Sequence, residues 1–238
     1  MALFGKKEES VRCSAVVLAA GDSQRMGEDK ALIELSGMPV LVRSISAFQK
    51  SALIDEIIVV TKADKIEEIA DMCNKYELTK VKKVIAGGSS RMESSLAGVS
   101  AVSKKAELIA IHDGARPLVS QKLIKNGVYT AKEFNSAVPA VKSPDTLRVK
   151  DGEYVGGFID RDSVVRIQTP QIFSADIIKG ALTRAVEKKL ELTDDASALP
   201  AIGFKVKLFE GDPTNIKLTV PSDLPVAEAL LAWRSEEQ

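Results

Sequence analysis

Three stretches bring glycine, cations and a carboxylate to points where apolar runs stop. CSAVVLAA (13–20) breaks into GDSQRMGEDK, so that Gly21 is followed by Arg25 and Lys30. A glycine there lets the backbone turn sharply and approach a ligand, with its N–H groups facing a polyphosphate. KKVIAGG (82–88) runs into SSRMESS, the opening of a helix, where the Gly-Gly-Ser-Ser run and Arg91 could seat a ligand, since free N–H groups favour anions or carbonyl oxygens. Ordinary N-capping by Ser89 or Ser90 accounts for the same residues. ELIAIHDGARP puts Asp113 where its apolar run ends. A carboxylate beside a polyphosphate can hold Mg²⁺ while water and phosphate oxygens complete the shell, and it can equally cap a turn. His112 is the chain's single histidine. It cannot build a histidine-rich metal site and reads as a structural partner of the active loop. The pattern is neither G-x-x-x-x-G-K-[ST] nor G-x-G-x-x-G.

Strands and helices must hold these loops together. Val16, Val17 and Leu18 suit a strand buried on both faces. Past Gly37 and Pro39, a helix presents Leu41, Ile45 and Phe48 on one face, and EIIVVT (56–61) is a second strand. A helix over 65–76, a third strand at 82–88, a fourth ending at Asp113, a helix over 121–134 and a fifth strand at 136–142 follow. This alternation predicts an α/β fold, a Rossmann-like, mainly parallel sheet flanked by helices. Ligands collect beyond the carboxyl ends of such strands, where Gly21, Gly88 and Asp113 all fall.

From Ser143 to Phe173 no helical period survives, and Asp151-Gly152 between 146–150 and 153–157 signals a hairpin. An isolated hairpin is only marginally stable, so this projecting arm, at about 141–161, is expected to pack against something, a partner subunit being a reasonable candidate. Arg148, Arg161 and Arg166 lie in or after it. A helix over 175–189, a short helix capped by Thr193 or Asp194, a strand over 204–211, the segment bearing Lys217 and a final helix over 222–233 complete the chain.

At 238 residues with 45% hydrophobic content, a single domain spanning 1–238 can bury a full core. Lys+Arg and Asp+Glu both number 33, so the balance favours neither nucleic acid nor a membrane surface, and any cationic site is local. Cys13 and Cys73 lack metal-ligand spacing and read as small buried hydrophobes in a reducing compartment. No run has the length of a membrane span, and Met1–Ser10 has too short an apolar patch for a signal peptide. The expectation is a cytoplasmic enzyme.

With these pieces in order, the sequence resembles the 2-C-methyl-D-erythritol 4-phosphate cytidylyltransferases of the non-mevalonate isoprenoid pathway, from about Cys13 to Trp233. The motifs are LAAGDSQRMG (18–27), GGSSRMESS (87–95), HDGARP (112–117), IDR (159–161), QTPQ (168–171), TDDAS (193–197) and NIKLT (215–219). The resemblance implies transfer of the cytidylyl group of CTP to methylerythritol phosphate, with Mg²⁺, by a homodimer whose arm contributes to the neighbour's site. It assigns the nucleotide loop to Ala19, Ala20, Gly21, Asp22 and Ser23, the triphosphate cations to Arg25 and Lys30, and cytosine reading to Gly88, Ser89 and Ser94. It assigns the metal to Asp113. Asp113, Gly114, Arg116, Thr146, Arg161, Thr169, Thr193 and Lys217 are implied to bind or position the phosphorylated polyol. One departure is that the family's Pro-Lys-Gln signature is missing, its lysine standing in GEDKALIEL.

The implied chemistry needs no protein base. A phosphate monoester, with a second pKa near ~6, is already largely dianionic at neutral pH. Positioning and cationic stabilisation carry the reaction. Alternatives in view are a ribitol-5-phosphate or other polyol-phosphate cytidylyltransferase and a sugar-1-phosphate nucleotidyltransferase.

Overall fold

Along β1 (Cys13–Leu18) successive side chains enter two different cores. Cys13, Ala15 and Val17 face one, Val16 the other, and all four are fully buried. A strand apolar on both faces needs helices on both faces, and the rest of the chain supplies them. The computed structural model describes residues 11–21 and 31–236. After β1 come β2 (Glu34–Leu35), β3 (Met38–Pro39), α1 (Val40–Lys50), β4 (Ile54–Thr61), α2 (Ile66–Lys75), β5 (Val81–Ala86), α3 (Arg91–Ala101) and β6 (Leu108–Asp113). The second half holds α4 (Gln121–Phe134), β7 (Ser136–Lys142), β8 (Arg148–Asp151), β9 (Tyr154–Phe158), β10 (Val165–Ile167), β11 (Gln171–Ser174), α5 (Ala175–Glu187), β12 (Leu208–Glu210) and α6 (Asp223–Glu236).

β5, β4, β1 and β6 lie side by side in parallel. β11 runs antiparallel between β6 and β7, and β7 also pairs with antiparallel β10 and parallel β12. The expected mainly parallel α/β sheet is therefore present, with an antiparallel strand inserted in it. Leu41, Ile45 and Phe48 of α1, with apolar residues of α2 and α4, cover one face. Met92 and Val99 of α3 and Ile178, Ala181, Leu182 and Ala185 of α5 cover the other. α3 lies so close that a Cβ on Gly98 would sit 2.3 Å from Val16 Cγ1.

Register brings the strand ends together. Leu18 is opposite Asp113 on one side and Val60 on the other, and Thr61 is opposite Ala86. The Ala19 and Gly87 N–H groups continue the ladders to Val60 and Thr61 carbonyls, at 2.7 and 2.8 Å.

The hairpin forms one strand pair of its own, β8 with β9. Its Val149, Tyr154, Val155 and Phe158 are 50–80% exposed. The strand expected over 204–211 shortens to β12, because its pairing with β7 runs only from Val138 to Ala140. Instead of one short helix, two 3₁₀ turns occupy Ala196–Ala198 and Pro200–Ile202. Asp194 accepts the Ser197 N–H at 3.1 Å, as a capping residue there should. No helix among the described residues is long and apolar enough to cross a membrane.

Candidate active site

Asp113, at the end of β6, is the centre of a cluster of charge. Lys217 Nζ lies 2.8 Å from its Oδ2, Arg91 Nη2 3.2 Å from its Oδ1 and Arg116 Nε 3.7 Å from its Oδ2. Burial pushes this carboxyl up, but Lys217 and Arg91, with Arg116, outweigh it and hold the group well below the usual carboxylate range. Asp113 thus lies among three cations that come from α3, the loop after β6 and the segment before α6, of which Arg91 is shared with Asp195. An anion entering here finds an excess of positive charge on a rigid frame.

The frame is built from the sequence motifs themselves. Gly114 turns the chain under β1. Its N–H donates to the Leu18 carbonyl at 2.8 Å and its own carbonyl accepts the Ser44 hydroxyl at 2.7 Å. A Cβ there would meet Leu41 Cδ1 at 2.9 Å and the Leu18 carbonyl at 3.0 Å, so the approach requires glycine. Thr169 is 3% exposed and accepts the Asp113 N–H at 3.0 Å. Gln168 donates to the Asp212 carbonyl at 2.8 Å and accepts the Asp212 N–H at 3.1 Å. Asn215 donates to the Thr169 carbonyl, and Arg116 Nη1 to the Asn215 carbonyl, both at 2.8 Å. These bonds tie the loop that carries Lys217 to the QTPQ segment and to the turn after β6. Gln171 performs the same service for TDDAS, donating to Asp194 and accepting the Ala196 N–H, each at 2.9 Å.

Beside Asp113 the GGSS segment opens α3. Ser90 is its N-cap and forms a capping box with Glu93. Ser89 bonds the same carboxylate, and Ser94 accepts the Gly88 N–H at 3.2 Å while donating to the Ser90 carbonyl at 2.9 Å. A Cβ on Gly87 would lie 2.8 Å from Ala20 Cβ, so this turn sits against the loop leaving β1. Gly21 and Gly88 are exposed there.

Asp113, Gly114, Arg116, Thr169 and Lys217 are thus brought together, with Ala19, Ala20, Gly88, Ser89 and Ser94 along the neighbouring strand ends. Thr193 is exposed on the loop that Gln171 anchors. Thr146 and Arg161 lie exposed at the two ends of the arm, and no hydrogen bond or ion pair among the described residues joins either to the Asp113 cluster. Asp22, Ser23, Arg25 and Lys30 lie outside the described residues.

Arg91, a ligand-seating candidate from the sequence, also makes a contact that the sequence did not assign. Arg91 bridges Asp113 to Asp195, its Nη2 lying 2.8 Å from Asp195 Oδ2. Asp195 is 1% exposed, and burial raises its carboxyl against the pull of Arg91. Both residues stand in the quoted motifs, yet only the fold shows that α3 and TDDAS meet.

Among the described residues no group of three or more His, Cys, Asp and Glu could hold a metal. The donor set fits Mg²⁺ all the same, since this ion commonly takes one or two carboxylates and fills its octahedron with substrate phosphates and water. Asp113 is ionised and 8% exposed at a strand end, as that role needs.

A mainly parallel sheet with glycine turns, a carboxylate and converging cations at its carboxyl edge is the architecture of a nucleotide-using transferase. The family model for 2-C-methyl-D-erythritol 4-phosphate cytidylyltransferase matches residues 13–233, and the chain belongs to that family. The chain is 40% identical over 221 residues to the enzyme of that name from Halalkalibacterium halodurans, covering 92% of this chain and 96% of the relative. To the Caldanaerobacter subterraneus enzyme of that name it is 41% identical over 222 residues, with coverage of 92% and 98%. The solved 4-diphosphocytidyl-2C-methyl-D-erythritol synthase from Anaerococcus prevotii superposes with a TM-score of 0.83 at 31% identity, over 94% of this chain and 97% of that one. The Thermus thermophilus cytidylyltransferase gives 0.76 at 32% identity, over 91% and 98%.

Proposed function

We propose that this chain transfers the cytidylyl group of CTP to 2-C-methyl-D-erythritol 4-phosphate, releasing pyrophosphate, with the Asp113 cluster as its reaction centre. The observation that carries this reading is the convergence of Lys217, Arg91 and Arg116 on Asp113 at the edge where β1 and β6 end. Two polyanions must meet there, and fixed cations lower the cost of bringing them together. At an effective dielectric of ~20, a charge pair about 4 Å apart interacts by roughly 4 kcal/mol before desolvation, so each cation matters.

In this reading Ala19, Ala20, Gly21, Asp22 and Ser23 cradle the triphosphate, and Arg25 and Lys30 stabilise charge on the leaving pyrophosphate. Gly88, Ser89 and Ser94 read the cytosine. Arg116, Thr193 and Lys217 bind the polyol phosphate, and Lys217 turns its nucleophilic oxygen toward the α-phosphorus. Asp113 would hold Mg²⁺, which when bound supplies charge neutralisation on the triphosphate. No side chain need remove a proton, because the nucleophile arrives as a dianion.

Thr146 and Arg161 serve the same site from the arm of a second subunit in a twofold homodimer. Support for this comes from the apolar side chains the arm exposes and from the finding that, among the described residues, no hydrogen bond or ion pair joins Thr146 or Arg161 to the Asp113 cluster. A cytoplasmic location accords with buried, unpaired Cys13 and Cys73.

The test is pyrophosphate release with CTP and Mg²⁺, comparing methylerythritol phosphate with ribitol phosphate and sugar 1-phosphates. Methylerythritol phosphate should be preferred by kcat/KM. Faster turnover of ribitol phosphate would move the chain's substrate to another polyol.

A further inference from the structure

His112 is fully buried one residue before Asp113, with its ring 5.0 Å from that of Phe48. Its two nitrogens have different partners. Nε2 lies 3.1 Å from the carbonyl oxygen of Arg116, which can only accept, so Nε2 carries a proton. Nδ1 lies 3.0 Å from Thr169 Oγ1. The ring is fully buried against Phe48 and both nitrogens face uncharged oxygens, an environment that would leave an imidazolium without a compensating charge, so the ring is neutral and Nδ1 is bare. The Thr169 hydroxyl therefore donates to Nδ1, and its oxygen accepts the Asp113 N–H at 3.0 Å. Every proton in this chain of bonds has one place.

We propose that His112 is a positioning residue: through Nδ1 it aims the Thr169 hydroxyl that holds the Asp113 main chain, and through Nε2–H it holds the Arg116 carbonyl. It thereby sets where the carboxylate and the guanidinium stand relative to each other across the turn that Gly114 makes. The inference rests on the reading of Asp113 and Arg116 as substrate-facing groups. It also gives Thr169 a different part from a substrate contact. Its one hydroxyl proton is committed to His112, and at 3% exposure it offers almost no surface to a ligand. Thr169 acts on the reaction through Asp113.

Because the chain has one histidine, ¹⁵N-histidine labelling gives a single imidazole to observe. Long-range proton–nitrogen correlation at neutral pH should show one neutral tautomer with its proton on Nε2. Thr169→Val should shift the Nδ1 resonance, and Thr169→Ser should restore it. A proton on Nδ1, or a mixture of tautomers, would overturn the assignment whether or not the enzyme turns over. Kinetics then test the role. His112→Phe keeps a ring against Phe48 and removes both bonds, and His112→Leu is the smaller alternative should the first fail to fold. Either variant, and Thr169→Val, should lower kcat/KM at least about tenfold with circular dichroism unchanged. Thr169→Ser should recover most of the Thr169→Val loss. The double variant should be little worse than either single one, since all interrupt one chain of bonds. Fully additive losses, or a harmless His112→Leu beside a damaging Thr169→Val, would return the hydroxyl to the substrate and refute the proposal. Failure of methylerythritol phosphate as a substrate would instead strike the functional reading and leave the tautomer result standing.

Discussion

Lys217 Nζ and Asp113 Oδ2 stand 2.8 Å apart, although one belongs to the segment before α6 and the other to the end of β6. A divalent ion on Asp113 and the ammonium of Lys217 would share one carboxylate. Lys217→Met should therefore leave Asp113 Oδ2 more open to a metal. The expected outcome is tighter Mn²⁺ binding to the nucleotide-free protein by calorimetry, together with a fall in kcat/KM for the phosphorylated polyol of about a hundredfold. Unchanged or weaker Mn²⁺ binding would show that Asp113 is not the metal ligand.

Asp113→Asn removes the charge on which Arg91, Arg116 and Lys217 converge. An amide oxygen is a poorer Mg²⁺ ligand and leaves the three cations uncompensated. Turnover is expected to fall by roughly a hundredfold or more, and raised Mg²⁺ should restore only part of it. Thermal melting should still be cooperative. Full rescue by Mg²⁺ would mean that the carboxylate's charge does not matter.

His112 links folding to pH. Its pKa falls from 6.5 to about 4 on folding, so between these values the unfolded chain binds a proton that the native ring does not. Stability is then greater above pH 6.5 and declines as pH falls toward 4, by about 3 kcal/mol from this group. Asp113, with a depressed carboxyl, contributes stability that starts to be lost as pH falls through the ordinary carboxylate range, a loss common to both proteins under comparison. Asp195, whose carboxyl is raised, acts in the opposite direction but is common to both proteins under comparison. Urea melts at pH 7 and 4.5 should show a smaller pH-dependent loss in His112→Asn than in the natural sequence. Equal losses would place the proton elsewhere.

Gly98→Ala tests the packing under the site. The added Cβ would lie 2.3 Å from Val16 Cγ1 and 2.9 Å from Val60 Cγ2, pushing α3 away from the sheet. Overpacking of this kind costs about 1–3 kcal/mol. Because α3 also carries Arg91, chemical denaturation should show that loss and kcat should fall with it. An unaltered denaturation midpoint would mean that α3 sits more loosely on β1.

How far the sequence alone carries this picture depends on the range of each interaction. β1, β4, α4 and the turn at Asp151-Gly152 are local patterns, and each falls within a few residues of its expected place. Asp113 was legible because an apolar run stops at it. β11 was not. QIFS is short, follows Pro170 and enters the sheet antiparallel between β6 and β7, which no periodicity announces. β12 is short because β7 offers it only three partners, a property of β7's register and not of FKVKLFEG. Arg91 and Asp195 each stood in a quoted motif, but their ion pair is a contact between α3 and a distant loop. Such pairings are made by the fold, and only the resemblance to a known family had placed Lys217 in the site.

The arm offers the sharpest test of assembly. Val149, Tyr154, Val155 and Phe158 are too exposed for a hairpin meant to stand alone in water, and Arg161 follows the hairpin closely. If the arm serves a partner, one active site needs Lys217 from one chain and Arg161 from the other. Lys217→Ala and Arg161→Ala, each nearly inactive alone, should complement when co-expressed. In a mixed dimer one composite site carries both lesions and the other carries neither. Random pairing makes half the dimers mixed, each with one intact site, so activity should return to about a quarter of the natural level. If the arm served its own chain, every site would keep one lesion and activity would stay at the level of the single variants. Mixed dimers isolated with two different affinity tags, and still inactive, would exclude the exchange of arms.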